Sequence, residues 1–194
     1  MDKAGEIVDG RGTYQIKKLR AALLHVKQFR AAIDVGAHCG LWSMHLVKRF
    51  GKINAFEPVA AHRECFALNV QAANATLHGC ALGDKNGMVS IHTAATSSGD
   101  SWVDGAGDIP IRRLDDFELQ DVDFIKIDTE GHELFVLRGG EETIRRCKPC
   151  LIVEQKPGHG HRFGIGDTDA IPLLESWGAK RREVLSGDFI YSWD

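Results

Sequence analysis

No apolar run in the chain approaches the ~20 residues needed to cross a bilayer, so membrane insertion is not expected. The opening Met1-Asp2-Lys3-Ala4-Gly5-Glu6 lacks the apolar stretch and small-residue cleavage site of a secretory leader, and a cytoplasmic protein is expected. Neither sign of charge dominates: 24 Lys and Arg stand against 27 Asp and Glu, net -3. Without a strong positive field a nucleic-acid partner is disfavoured. Proline is scarce at 5, and glycine at 21 adds too little for a collagen-like or disordered chain. The five cysteines are odd in number and sit inside apolar runs, which implies reduced thiols and no disulfide framework. What is present, 194 residues of which 43% are apolar, suits one globular domain burying about 70% of its unfolded surface.

Apolar positions Ile16, Leu19, Leu23 and Val26 recur at helical spacing, so a helix is expected over Thr13 to Phe29. The basic residues Lys17, Lys18, Arg20, Lys27 and Arg30 read as its solvated face, and Arg181 and Arg182 form a second small basic group. This helical segment, residues 1–30, precedes a single domain over 31–194. Ala31 to Val35 reads as a strand, followed by a glycine turn and a helix from Leu41 to Phe50 closed by Gly51. Lys52 to Phe56 is a second strand, broken by Glu57-Pro58, and a helix then runs to Asn74. Thr76 to Leu82 is expected as a third strand and Met88 to Thr93 as an extra one. Ala94 to Asp108, rich in Ser, Gly and Asp, reads as a long loop covering the substrate. Asp123 to Asp128 is a fourth strand, leading into a helix interrupted at Gly139-Gly140 and continued from Glu141 to Cys147. Pro149 to Gln155 is a fifth strand, Thr168 to Trp177 a helix, and Arg182 to Leu185 with Phe189 to Trp193 a hairpin. Strands alternating with helices imply an α/β fold on a mostly parallel sheet.

Ligands of such sheets bind beyond the carboxyl ends of the strands. Those ends carry Asp34 and the turn Gly36-Ala37-His38-Cys39-Gly40, then Glu57-Pro58, Ala81-Leu82-Gly83-Asp84, Asp128-Thr129-Glu130 and Glu154. A glycine turn lets a ligand approach backbone N–H groups, and Glu57, 21 residues after Gly36, can accept ribose hydroxyls from the next strand. The alternative for Glu57 is a helix-start carboxylate. Dinucleotide binding would require glycine at 38 and 41, where His38 and Leu41 stand; no G-x-x-x-x-G-K-[ST] occurs either. S-adenosylmethionine needs no phosphate site, offers a ribose to Glu57, and carries a sulfonium suited to an acidic crevice. One carboxylate ~4 Å from a unit charge contributes roughly 4 kcal/mol at an effective dielectric of 20, before desolvation.

Together these motifs, with Ile109-Pro110-Ile111-Arg112-Arg113-Leu114-Asp115-Asp116-Phe117 and Ile127-Asp128-Thr129-Glu130-Gly131-His132-Glu133 through Gly139, resemble the FkbM family of methyltransferases over about Ala31 to Gln155. The resemblance implies a class I S-adenosylmethionine-dependent methyltransferase, with helices on both faces of a seven-stranded, mostly parallel sheet whose last strand is antiparallel. It implies O-methylation of a small molecule or glycan. Carried onto this sequence, Asp34, Gly36 and Gly40 line the methionine end, Glu57 the ribose and Ala81 with Leu82 the adenine edge; Ala37, His38 and Pro58 belong to the same cofactor-binding set, and Asp128, Glu130 and Glu133 occupy the acidic motif beside the donor methyl. The family usually has Asn where this chain has His38. The short segment before the first strand implies a small acceptor cap, leaving room for a large acceptor or for completion by a second copy in a homo-oligomer.

Direct displacement at the donor methyl requires the acceptor hydroxyl to lose a proton. Asp128, Glu130, His132 and Glu154 are the candidate acceptors of it, with Asp128 or Glu130 preferred at the end of a central strand. Helix-dipole compensation is the competing explanation for Glu130 and Glu133. Cys147-Lys148-Pro149-Cys150 follows a helix and opens a strand, a setting for packing rather than redox chemistry. His159-Gly160-His161 reads as a substrate-side loop, no metal site is expected, and Trp102 is a candidate platform for a sugar or aromatic acceptor. A nicotinamide-dependent oxidoreductase and a non-catalytic cofactor-binding module are the alternatives.

Overall fold

The computed structural model describes residues 7–8, 11–93 and 99–193. Along it run β1 (Ile7–Val8), β2 (Arg11–Gly12), α1 (Ile16–Leu23), β3 (Ala31–Val35), α2 (Ser43–Leu46), β4 (Lys52–Phe56), α3 (Ala60–Asn69), β5 (Ala75–His78) and β6 (Ala81–Leu82). They are followed by β7 (Gly87–Val89), β8 (Ile91–Thr93), β9 (Ser101–Val103), β10 (Ile109–Arg112), β11 (Val122–Ile127), α4 (Glu133–Gly139), α5 (Glu141–Cys147), β12 (Cys150–Glu154), α6 (Ala170–Ser176), β13 (Lys180–Leu185) and β14 (Asp188–Ser192).

Seven strands form one sheet in the order β13-β14-β12-β11-β3-β4-β5. Every pair from β12 to β5 is parallel, and β14 runs antiparallel to both β12 and β13, as expected of the last strand. Side chains alternate across a strand, and the core divides accordingly. Ile33, Val35, Ile125, Ile127, Leu151 and Val153 pack with Leu137 of α4, Ile144 of α5 and Leu174 of α6. Ala32, Phe124, Cys150 and Ile152 face the opposite way, onto Ile16, Leu19 and Ala22 of α1 and Leu46 of α2. Both faces of the central strands are buried, which explains their continuous apolar runs.

Several boundaries differ from the sequence reading for identifiable reasons. The first helix ends at Leu23 because the carbonyls of Phe29 and Arg30 accept from Gly51 and Lys52, drawing that stretch toward the sheet edge. Its basic face is also not simply solvated: Lys18 pairs with the buried Asp188, and Arg30 with Asp121 and Asp123. The stretch Leu41 to Phe50 holds only a four-residue helix flanked by turns. The expected third strand divides at Gly79-Cys80: β5 joins the main sheet, whereas β6 joins a second, three-stranded sheet ordered β6-β10-β7. Met88 to Thr93 likewise divides at Ser90 between β7 and β8.

The loop assigned to Ala94 to Asp108 contains a strand, β9, paired antiparallel with β8; residues 94–98 lie outside the described residues. β10 escaped notice because Pro110 reads as a strand breaker. It is tolerated because β6 pairs only with Ile111 and Arg112, so no partner on that side needs the missing N–H.

Candidate functional site

Strand register assembles the acidic floor. Lys126 of β11 lies opposite both Asp34 of β3 and Ile152 of β12, so residues two further along, Asp128 and Glu154, are neighbours on the same face. Lys126 is 5% exposed and Asp34 fully buried. The Lys126 ammonium lies 3.3 Å from Asp34 Oδ1 and 3.7 Å from Asp128 Oδ2, and donates to the carbonyl of Gly36 at 2.8 Å. Burial opposes its charge, but Asp34, Asp128 and Glu154 outweigh it and hold the ammonium above its ordinary range.

The turn after β3 packs against the end of β11. A Cβ on Gly36, whose φ is +71°, would stand 1.9 Å from the Asp128 carbonyl oxygen, so only glycine fits there. From the end of β4, Glu57 reaches back under this turn: Oε2 accepts from His38 N at 2.8 Å, and Oε1 accepts from Val59 N at 2.9 Å and lies 3.2 Å from His62 Nδ1. Burial pushes the Glu57 carboxyl up, but the His62 contact and the two backbone donors prevail and hold it below its ordinary value. His38 itself is left-handed, at φ 50°, with its ring edge-on to His62 at 4.3 Å.

The strand ends enclose a cavity of about 470 Å³. Gly36, Ala37, His38, Glu57, Pro58, Ala81, Leu82, Asp128, Glu130 and His132 line it, together with Gly99 to Val103. Three expected residues do not reach its wall. Asp34 stands behind it, with Oδ2 accepting from Ser43 at 2.7 Å and Oδ1 facing Lys126. Gly40 abuts Phe66 and Val70 of the helix side. Glu154 is 4% exposed, behind Asp128 and Lys156.

At one end of the cavity Asp128, Glu130 and Glu154 bring carboxylate oxygens within 4.8 Å of one another. Lys156, which the sequence reading did not single out, sits among them, 2.8 Å from Glu130 Oε1 and 2.9 Å from Glu154 Oε2. The group could hold a cation, and the chain's own ammonium supplies one there. Burial, then the charge of Asp128, pushes the Glu154 carboxyl up to about 9. For Asp128, burial is outweighed first by Lys126 and then by the Glu154 hydrogen bond, which leaves it below its ordinary value. Burial and mutual repulsion thus favour a shared proton in this pair, with Glu154 the member pushed up and Asp128 the member held down.

His132 also lines the cavity. Its Nδ1 is 3.2 Å from the Leu82 carbonyl, its ring contacts Phe135 and Phe163, and burial lowers its pKa to about 4, so the neutral ring donates to Leu82. Glu133 closes the turn before α4, accepting from Thr129 N and Gly131 N at 2.9 and 3.0 Å; burial nonetheless pushes it up to about 7. His159 pairs with Glu130 at 2.9 Å, while the exposed His161 faces Asp167, so the two histidines do not converge. Trp102 has His92 at 4.1 Å and the Arg162 guanidinium at 4.0 Å. Both pack close over the indole, which also borders the cavity. Cys150 is buried and donates to the Ala22 carbonyl at 3.3 Å, a packing role.

A further cavity residue, Tyr14, has no counterpart in the sequence analysis and is held by Gln15 behind it. Gln15, left-handed at φ 52°, accepts from the Trp42 indole at 3.0 Å and donates to the Tyr14 hydroxyl at 3.1 Å, holding Tyr14 at the cavity. A family pattern or a pocket could reveal them; periodicity cannot, because Tyr14 and Gln15 precede the helix.

A family model described as "Methyltransferase FkbM domain" matches residues 34–181. Among solved structures, the chain resembles a methyltransferase FkbM from Methylobacillus flagellatus at 21% identity and a TM-score of 0.58, covering 84% of this chain but only 43% of that one. It also resembles a SAM-dependent methyltransferase from Aquifex aeolicus, at 17% identity and 0.54, covering 92% and 89% of the two chains. A putative methyltransferase from Streptococcus mutans, solved in complex with SAH, matches at 10% identity and 0.54, covering 92% and 96%. At these identities the structural likenesses speak to the fold. No curated protein matches the sequence.

Proposed function

Because the chain belongs to the FkbM methyltransferase family, we propose that this S-adenosylmethionine-dependent methyltransferase transfers its methyl group to a hydroxyl oxygen of a small molecule or glycan. The cavity fits the donor: its volume lies in the range of small-molecule sites. Glu57 Oε2 accepts a hydrogen bond from His38 N and retains capacity for a ribose hydroxyl. When bound, S-adenosylmethionine supplies an electrophilic methyl on a positively charged sulfur.

The chain's residues then divide the work. Gly36, Ala37 and His38 hold the methionine end, Glu57 with Pro58 the ribose, and Ala81, Leu82 and the neutral His132 the adenine edge. Asp34 acts through Lys126, fixing the ammonium that bridges the Gly36 turn and Asp128. Asp128, ionised beside Lys126, takes the proton of the acceptor hydroxyl. Protonated Glu154 orients that carboxylate, and Lys156 stabilises the charge that develops on the oxygen. Positioning the oxygen in line supplies much of the remaining rate enhancement.

The observation that carries this reading is the cluster of Asp128, Glu130 and Glu154, whose carboxylate oxygens lie within 4.8 Å of one another with Lys156 among them, beside a cavity that Asp128 and Glu130 line. The test is transfer of a radiolabelled methyl group to a panel of hydroxylated small molecules and glycans. Asp128→Asn should lower turnover by about 10²- to 10⁴-fold while leaving S-adenosylhomocysteine bound. Undiminished turnover in that variant, or transfer only to amines, would refute the assignment.

A further inference from the structure

We propose that Cys39 and Cys65 form an oxidisable dithiol that a peroxide closes into a disulfide, fastening the cofactor turn to α3 and weakening donor binding. Three contacts join turn and helix. The His38 ring meets His62 at 4.3 Å, Asn69 Nδ2 donates to the Cys39 carbonyl at 2.8 Å, and a Cβ on Gly40 would come within 2.8 Å of Phe66. Residues 62, 65, 66 and 69 share one flank of α3 by their spacing of three and four. Cys65 thus lies between the residues that grip the turn, one helical turn before Asn69, and is close enough to raise the Cys39 thiol electrostatically.

The two thiols differ in access. Cys65 is exposed and Cys39 half-buried, and burial together with Cys65 pushes the Cys39 thiol up to about 11. Oxidation therefore starts at Cys65. Its thiolate attacks hydrogen peroxide, the O–O bond breaks, and the products are a sulfenic acid and, after proton uptake, water. The Cys39 sulfur then attacks the Cys65 sulfur, loses its proton and expels a second water. The two thiols give up two electrons and two protons, and one peroxide becomes two waters.

A disulfide holds its sulfurs about 2.05 Å apart, so a bridge fixes the turn and the helix to each other covalently. The link falls beside His38, whose N–H anchors Glu57 at 2.8 Å, and constrains that turn where the donor is proposed to bind. The donor-binding consequence rests on the proposed role of Glu57; formation of the bridge does not.

The full chain is treated with hydrogen peroxide, alkylated, weighed intact and peptide-mapped. Expected is a loss of two hydrogens in a reductant-reversible link between the peptides carrying Cys39 and Cys65. S-adenosylhomocysteine should bind the oxidised protein several-fold more weakly than the reduced protein, with affinity restored by dithiothreitol. Cys65→Ser should form no such link and keep its affinity in peroxide. A Cys65 sulfinic acid beside an alkylated Cys39, or a link confined to Cys147 and Cys150, would overturn the dithiol. A correct bridge with unchanged affinity would overturn the donor effect alone. Reduced protein that does not bind S-adenosylhomocysteine would instead count against the donor site itself, leaving the mass result to decide the bridge.

Discussion

Glu57 joins two tasks in one carboxylate: it ties the glycine turn to the start of α3 and faces the space assigned to the ribose. Charge-assisted hydrogen bonds contribute about 1.5–3 kcal/mol each, so Glu57→Gln should weaken S-adenosylhomocysteine binding about tenfold or more by calorimetry. Gly36 sets the opposite wall. Its missing Cβ lets the turn touch the Asp128 carbonyl, and Gly36→Ala should separate β3 from β11, lowering the melting temperature and donor affinity together. A fall in affinity without a fall in melting temperature would contradict that account. Residue identity made both positions legible in the sequence, because a glycine turn and a carboxylate at successive strand ends are local features. Lys156 and Tyr14 were not legible, since Lys156 acquires its meaning from Glu130 on another strand end as well as from nearby Glu154, and Tyr14 from Asp128 and Glu154 far along the chain.

The hairpin of β8 and β9 shows how an element gains order from outside itself. Three residues per strand make a weak pair, yet Trp102 of β9 packs against His92 of β8 and Arg162 of the 3₁₀ turn Gly160–Phe163. A cation–π contact at a partly exposed site contributes about 0.5–1 kcal/mol. Arg162→Ala should therefore speed amide hydrogen exchange in residues 101–103 several-fold while leaving β11 and β12 unchanged; equal protection would show that the hairpin stands without the contact. The sequence reading saw Ser, Gly and Asp here and expected a loop, because short strands have too few alternating positions to announce themselves. The same limit affected β6 and β10, whose pairing partners are 30 residues apart.

At the scale of the molecule, parity in the sheet gathers Asp34, Lys126, Asp128, Glu154 and Asp188 on the α1 face, where Lys18 meets Asp188. Such a cluster gives the fold a pH dependence. The Glu154 carboxyl is raised from 4.5 to about 9 by burial first and Asp128 second, so the folded chain holds a proton that the unfolded chain releases. Its contribution to stability is complete below about pH 4.5 and is lost as pH rises toward 9. Glu154→Gln should flatten the decline in melting temperature between those limits, and a decline as steep as in the natural chain would place the titration elsewhere.

Alternation of apolar runs with helical spacing was sufficient to define the central strands, since β3 and β4 begin and end where the sequence places them. The carboxylates at strand ends were equally visible. What only the tertiary structure decided is which of them face the cavity and which way each titration moves: register put Lys126 beside Asp34, and burial with a neighbouring charge pushed the Glu154 carboxyl up. Local sequence fixes a side chain's period, whereas its charge state depends on desolvation and on partners contributed by other strands.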